Sequence, residues 1–148
     1  MKIRPARVDD LAAIQNCARA AYAHYVDRIG REPAPMVADF AGQIVNGIIH
    51  VVEDQDRIRG FIVLYPRGDH LHVENVAIDP AFQRHGLGTA LLDFAEQQAH
   101  AHRKHAIELY TNEKMTENLE FYPHLGYAET GRKREDGYSR VYFRKELA

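Results

Sequence analysis

The chain has 148 residues, 45% of them hydrophobic and 27% charged, which suits one globular domain that can bury a core without staples or metals. Its formal net charge is −2, so no global basic field exists for nucleic acid or an anionic membrane, and neither is an expected partner. Cys17 is the single cysteine, which excludes an intrachain disulfide and a thiolate metal cluster and fits a reducing compartment.

Met1 to Arg7 has no apolar run behind its basic residues, so it does not read as a signal peptide. No stretch reaches the length needed to cross a bilayer, and a cytoplasmic location is the default expectation. No repeat or flexible linker appears, so residues 1–148 are expected to form one domain. Lys2 to Ala6 suits a short strand. Asp9 suits the N-cap of an Ala-rich helix over Asp10 to Ala23. Gly30, Pro33 and Pro35 break the stretch Arg28 to Met36, and Asp39 to Asn46 suits a second short helix. Ile48 to Glu53 and Ile58 to Tyr65 read as a hairpin around a polar turn, and Leu71 to Ile78 reads as the next strand. Leu87, Ala90, Leu91, Phe94 and Ala95 share one face of a helix over Gly86 to His100. Ile107 to Tyr110 is a strand and Thr116 to Leu125 a helix. Asp136-Gly137 joins two strands, Ala128 to Arg134 and Ser139 to Lys145, in a tight hairpin. The order β-α-α-β-β-β-α-β-α-β-β predicts an α/β domain with a mixed sheet.

The run Asn75 to Leu92, N-V-A-I-D-P-A-F-Q-R-H-G-L-G-T-A-L-L, carries the most chemistry. A strand ends at Ile78, Pro80 stops it, and a glycine-containing turn from Gln83 to Gly88 enters a helix directly. The first amides of a helix have no partner one turn back, and the helix dipole adds positive potential there. Gly86 and Gly88 let backbone approach a ligand closely. Such a junction suits a pyrophosphate, with Arg84 and His85 as added donors. A plain strand-to-helix connection would use the same glycines merely to turn the chain. It is not a Walker A loop, because no Gly-Lys-Ser/Thr follows, and it lacks the third glycine of a dinucleotide fingerprint.

With Gln83-Arg84-His85-Gly86-Leu87-Gly88 after V-A-I-D-P, the chain resembles the GNAT acyltransferase superfamily, whose members carry Q/R-x-x-G-x-G/A after the fourth strand. Asn118-Leu119-Glu120-Phe121-Tyr122-Pro123-His124-Leu125-Gly126-Tyr127 resembles the family's L-Y-x-x-x-G-F helix end. The opening I-R-P-A-R-V-D-D-L-A-A-I is similar to its first strand and helix. The resemblance implies a twisted, mostly antiparallel mixed sheet with helices on both faces, splayed between strands four and five, with acetyl-CoA as co-substrate in the cleft. It implies that the strand Val76-Ala77-Ile78 pairs with the pantetheine arm, that Gln83 and the amides of Arg84 to Thr89, through His85, Gly86, Leu87 and Gly88, hold the diphosphate, and that Asn118 lies near the thiol. Many members place an asparagine seven residues before the helix tyrosine. Here Met115 stands there, with Asn112 and Asn118 nearest.

Direct acyl transfer needs the amine deprotonated, the thioester oxygen stabilised and the leaving thiolate protonated. No acyl-enzyme is needed, so a lone cysteine is no obstacle. Tyr122 matches the family tyrosine that protonates the thiolate of CoA. A phenol normally titrates near about pH 10 and stays able to donate. Away from that motif, a tyrosine packed in the core is the commoner arrangement. Glu74 matches the fourth-strand carboxylate that acts as base through water, and His72 shares its strand face and could relay a proton. An ordinary solvated strand face is the alternative.

His70, His72 and Glu74 would also suit a divalent ion by residue type, and His100, His102 and His105 cluster near a helix end. The resemblance offers no metal, and none is expected. The resemblance also implies that the amine acceptor, a small molecule or a peptide, approaches from the first two helices and the last hairpin, which points to Tyr22, Tyr25, Arg28, Arg31, Met36 and Tyr138. An arginine there suits an acceptor carrying a carboxylate or phosphate. A homodimer is compatible with the resemblance. The competing reading is a module that senses acyl-CoA without turnover, which would need the cradle but no acid or base.

Overall fold

The computed structural model describes residues 1–83 and 85–148. Seven strands, β1 (Lys2–Pro5), β2 (Ile49–Asp54), β3 (Arg57–Arg67), β4 (His70–Ile78), β5 (Ala106–Asn112), β6 (Ala128–Glu135) and β7 (Tyr138–Glu146), form a mixed sheet in the order β1-β2-β3-β4-β5-β7-β6. The helices are α1 (Leu11–Tyr22), α2 (Val26–Ile29), α3 (Phe40–Val45), α4 (Leu87–Ala101) and α5 (Thr116–His124). The expected α/β class and strand order hold, and a four-residue helix, α2, is added between the two helices expected before β2. By contacts the chain divides into two compact units, which β3, β4 and α4 each enter.

The first unit takes Met1–Leu64 and Glu74–Phe94. In α1, Ile14, Cys17, Ala18, Ala21 and Tyr22 are buried, the i, i+3, i+4, i+7, i+8 stripe of a helix with one apolar face. The residue at the start of α1 is Asp10, one past the expected Asp9, and its side chain makes no cap bond into the helix. It accepts instead from the Arg7 amide at 2.7 Å and from Arg4 at 2.8 Å, closing the 3-10 turn Val8–Asp10 that precedes α1. Between α1 and α3 the chain passes through a short 3-10 turn and α2, reverses at Gly30 with φ 88, and takes a second 3-10 turn over Ala34–Met36. β1 pairs antiparallel with β2, and β2 with β3. Val51, Val52, Phe61, Ile62, Val63 and Leu91 are fully or almost fully buried, each contributing about 1.5–3 kcal/mol by leaving water. The stripe on α4 is turned slightly from expectation. Leu92 is buried, while Ala90 and Phe94 are only half-buried.

The second unit takes Tyr65–Val73 and Ala95–Ala148. The parallel β4–β5 ladder runs from His70 opposite Ala106 to Val73 opposite Leu109. β5 pairs antiparallel with β7, and β7 with β6. Asp136 and Gly137 both have positive φ, 53 and 82, the left-handed pair that a two-residue hairpin turn requires. Leu71, Val73, Ile107, Leu109, Val141 and Phe143 form the core.

Candidate active site

In the first unit, β4 leads into the glycine turn through a built corner. Asp79 caps a 3-10 turn at Pro80–Phe82, accepting from the Ala81 amide at 3.0 Å. The Arg59 guanidinium lies 3.8 Å from the centre of the Phe82 ring, and Gln83 donates from its amide to the Ile78 carbonyl at 3.3 Å. Gly86 has φ 78, and a Cβ placed on it would meet nothing within 4 Å. Its carbonyl accepts the first helical bond of α4, from Ala90 at 3.0 Å. Leu87, Gly88 and Thr89 then open a fifteen-residue helix, and the first-turn amides of a helix find no carbonyl within that helix to pair with. Positive φ, open space and a long helix start fit an oxyanion ligand. His85, Gly86 and Thr89 are exposed, Gly88 is half-buried and Leu87 buried. Arg84 lies outside the described residues.

The strand before this corner is held from two sides. The Tyr22 hydroxyl lies 2.7 Å from Asn75 Oδ1 and 3.0 Å from the Val76 carbonyl, so its one proton is shared between two acceptors on β4. The Asn75 amide donates to the Pro35 carbonyl at 2.9 Å. Tyr22 and Asn75 are both buried. Tyr22, expected at the acceptor, is thus also an anchor between α1 and β4. Behind Ala77, a Cβ on Gly60 would come within 2.7 Å of its carbonyl oxygen, so only glycine lets β3 approach this closely. Glu74 is half-buried, and Gln43 of α3 donates to its Oε2 at 3.4 Å. Asn75, Gly60 and Gln43 were missed by sequence reasoning. Asn75 alone carried a signal: a polar residue in step with the apolar Leu71, Val73 and Ala77.

Tyr25 is buried, with its ring centre 6.5 Å from that of Tyr22 and the Arg28 guanidinium 5.0 Å away. Arg28 and Arg31 are exposed and Met36 is half-buried. Cys17 is buried, and burial followed by the Asp79 charge pushes its thiol up to about 12. A thiol so rarely ionised is no nucleophile.

In the second unit, Tyr122 is buried in α5 with its ring 5.8 Å from Tyr127, 5.7 Å from Phe143 and 5.5 Å from Phe121. Asn118 donates to Thr111 Oγ1 at 3.0 Å, and Met115 is buried beside them. Asn112 accepts from the Lys114 amide at 2.9 Å and so shapes the turn before α5. Tyr138 is buried just after the β6–β7 turn.

His72, read from the sequence as a proton relay beside Glu74 with a solvated strand face as the alternative, is buried between Tyr65 and Tyr110, with ring centres 5.3 and 6.0 Å away. Burial first, then the Arg67 and His70 charges, lowers its pKa to about 4, so the ring is neutral near neutral pH. His70 faces Asp69 at 3.0 Å and Glu108 at 3.5 Å, a group whose donor atoms lie within 4.8 Å of one another. Arg144 already bonds Asp69 at 3.0 Å and Glu108 at 2.6 Å, so a cation there would have to displace a guanidinium. His100, His102 and His105 are all exposed. No described helix is long and apolar enough to cross a membrane.

Comparison with known proteins bears on the fold and the family. A Xenopus tropicalis protein named probable N-acetyltransferase 14 is 35% identical over 99 residues, 65% of this chain. The chain spans about half, 48%, of that relative's length. The fold matches Ard1 from Thermoplasma volcanium with a TM-score of 0.80 at 17% identity, over 99% of this chain and 97% of that one. It matches the PaiA N-acetyltransferase of Thermoplasma acidophilum, solved in complex with coenzyme A, with a TM-score of 0.78 at 16% identity, over 99% and 98%. Residues 13–127 match the profile of the Acetyltransferase (GNAT) family, and the chain belongs to that family.

Proposed function

We propose that this protein transfers an acetyl group from acetyl-CoA directly to a primary amine of a small molecule or peptide. The observation that carries the reading is the Gly86 junction, where a left-handed glycine in open space leads straight into the first turn of a long helix. In this reading the amides of residues 85 to 89 hold the diphosphate, with Gln83 bracing the turn, and the backbone of Val76, Ala77 and Ile78 pairs with the pantetheine arm. Asn118 lies near the thiol end. The amine nitrogen attacks the thioester carbonyl carbon, the carbon–sulfur bond breaks, and the departing thiolate takes the phenolic proton of Tyr122. Glu74, steadied by Gln43, accepts the amine proton through water. The buried, high-pKa Cys17 supports transfer without an acyl-enzyme. Tyr25, Arg28, Arg31, Met36 and Tyr138 would border the acceptor, with Tyr22 anchoring that side.

The test is calorimetric titration of the full chain with CoA and acetyl-CoA, followed by a thiol-release assay over a panel of amines. Saturable binding with thiol release on at least one amine is expected. No binding of either ligand would overturn the reading. Tight binding with no release across a broad panel would favour an acyl-CoA sensor.

A further inference from the structure

On β7, Arg140, Tyr142 and Arg144 alternate onto one face of the strand. The two arginines are treated very differently. Arg144 is saturated, reaching Asp69 at 3.0 Å and Glu108 and Glu146 at 2.6 Å each. Arg140 pairs with no carboxylate among the described residues. It is half-buried, with its guanidinium 4.5 Å from the ring centre of Tyr110 and 5.8 Å from that of Tyr138. Directly opposite it on the β6–β7 ladder stands Lys133. The Lys133 ammonium lies 5.4 Å from the Tyr142 ring centre, and it too pairs with no carboxylate among the described residues. Like charges opposed across a ladder repel. The nearest acid along β6, Glu135, receives the Tyr142 hydroxyl. Aromatic faces fix the position of a cation but do not replace the oxygen acceptors that its N–H groups seek. A planar guanidinium held this way presents a fork matched to a carboxylate.

We propose that Arg140, assisted by Lys133, binds a carboxylate on the acceptor. The inference rests on the acyl-transfer reading, in which the acceptor approaches by the β6–β7 turn that Tyr138 follows. It moves the anionic preference from Arg28 and Arg31 to the last hairpin.

The experiment is a residue-resolved NMR titration of the full chain, with and without saturating CoA, using glutarate and its neutral diamide, glutaramide. Glutarate is expected to shift the amides of Tyr110, Tyr138 and Arg140 saturably, and glutaramide to leave them in place. Arg140→Gln should weaken glutarate about tenfold or more, the loss of a charge-assisted contact. Lys133→Gln, at an exposed position, should weaken it less, and Arg140→Lys should fall between Arg140→Gln and the parent. Unmoved amides, or equal glutarate binding by the Gln variants, would overturn the inference. Failure of CoA itself to bind would instead strike the acyl-transfer reading, leaving the glutarate result to stand by itself.

Discussion

The Tyr127 amide donates to the Tyr122 carbonyl at 3.0 Å, and the rings of the same two residues meet edge to face with centres 5.8 Å apart. Gly126 between them has φ 96, and its amide donates to the Pro123 carbonyl at 3.0 Å. This is a Schellman end to α5, complete with the apolar contact that usually accompanies one. The Leu-Gly-Tyr that follows the helix and the tyrosine inside it are therefore one device. The glycine turns the chain so that the second ring wedges the first against Phe143.

That wedge makes Tyr122→Phe a clean substitution, because the ring contacts survive and only the hydroxyl goes. If the hydroxyl protonates the leaving thiolate, turnover should fall about a hundredfold, the range of a lost general acid. CoA affinity measured by calorimetry should stay within about twofold of the parent, since the ring and backbone remain. Undiminished turnover would remove Tyr122 from its assigned role.

Gly86→Val tests the cradle. With φ 78, a β-branched side chain costs about 1–2 kcal/mol of backbone strain or forces the turn to reshape. No neighbour within 4 Å would clash, so the damage is confined to the turn itself. CoA should bind about tenfold more weakly by calorimetry, the effect of roughly 1.4 kcal/mol. Gly47→Val is the control, since Gly47 has φ 70 and equally open surroundings but lies just past α3. It should lose thermal stability without losing CoA affinity. Equal affinity in both variants would argue against the cradle.

How far the sequence carried depended on the range of the interactions involved. The β6–β7 turn, α4 and the broken stretch after α2 were legible because turn chemistry and helical period act over a few residues. The ending of α5 was legible as a motif, though its physical reason appears only when Tyr127 is seen against Tyr122. The burial of His72 was not, because alternation places it opposite Leu71 and Val73, and the rings of Tyr65 and Tyr110 that cover it come from other strands. Arg140 escaped for the same reason. Its partners are rings reached through sheet register, and its contrast with Arg144 exists only once the distant Asp69 and Glu108 have joined the nearby Glu146 on the latter.

The Tyr22–Asn75 anchor spans 53 residues of sequence, and it predicts a measurable coupling. Tyr22→Phe should cost about 1–3 kcal/mol in urea unfolding, because it removes the donor facing two acceptors. Asn75→Leu should cost a similar amount, since the Pro35 carbonyl also loses its donor. The double variant should be less damaged than the sum, with an interaction term of about 0.5–3 kcal/mol. Strict additivity would mean that the hydroxyl and the amide do not act together.

His72 sets a pH dependence whose sign follows from its burial. Its folded pKa of about 4 lies below the ordinary 6.5, so in that window the unfolded chain takes up a proton that the folded chain refuses. Stability from this residue is complete above about pH 6.5 and drains away as pH falls toward about 4. Lowering the pH from about 7.5 to about 5.5 should cost on the order of 1 kcal/mol at this site, read from urea midpoints. His50, also lowered by burial, adds a loss of the same sign, so the wild-type slope is a sum. His72→Phe separates the two, because a phenyl ring fits between Tyr65 and Tyr110 and carries no proton. The variant should keep most of its stability at the higher pH and lose less than the parent at the lower one. An unchanged slope would mean that His72 takes up its proton in the folded chain as readily as in the unfolded one.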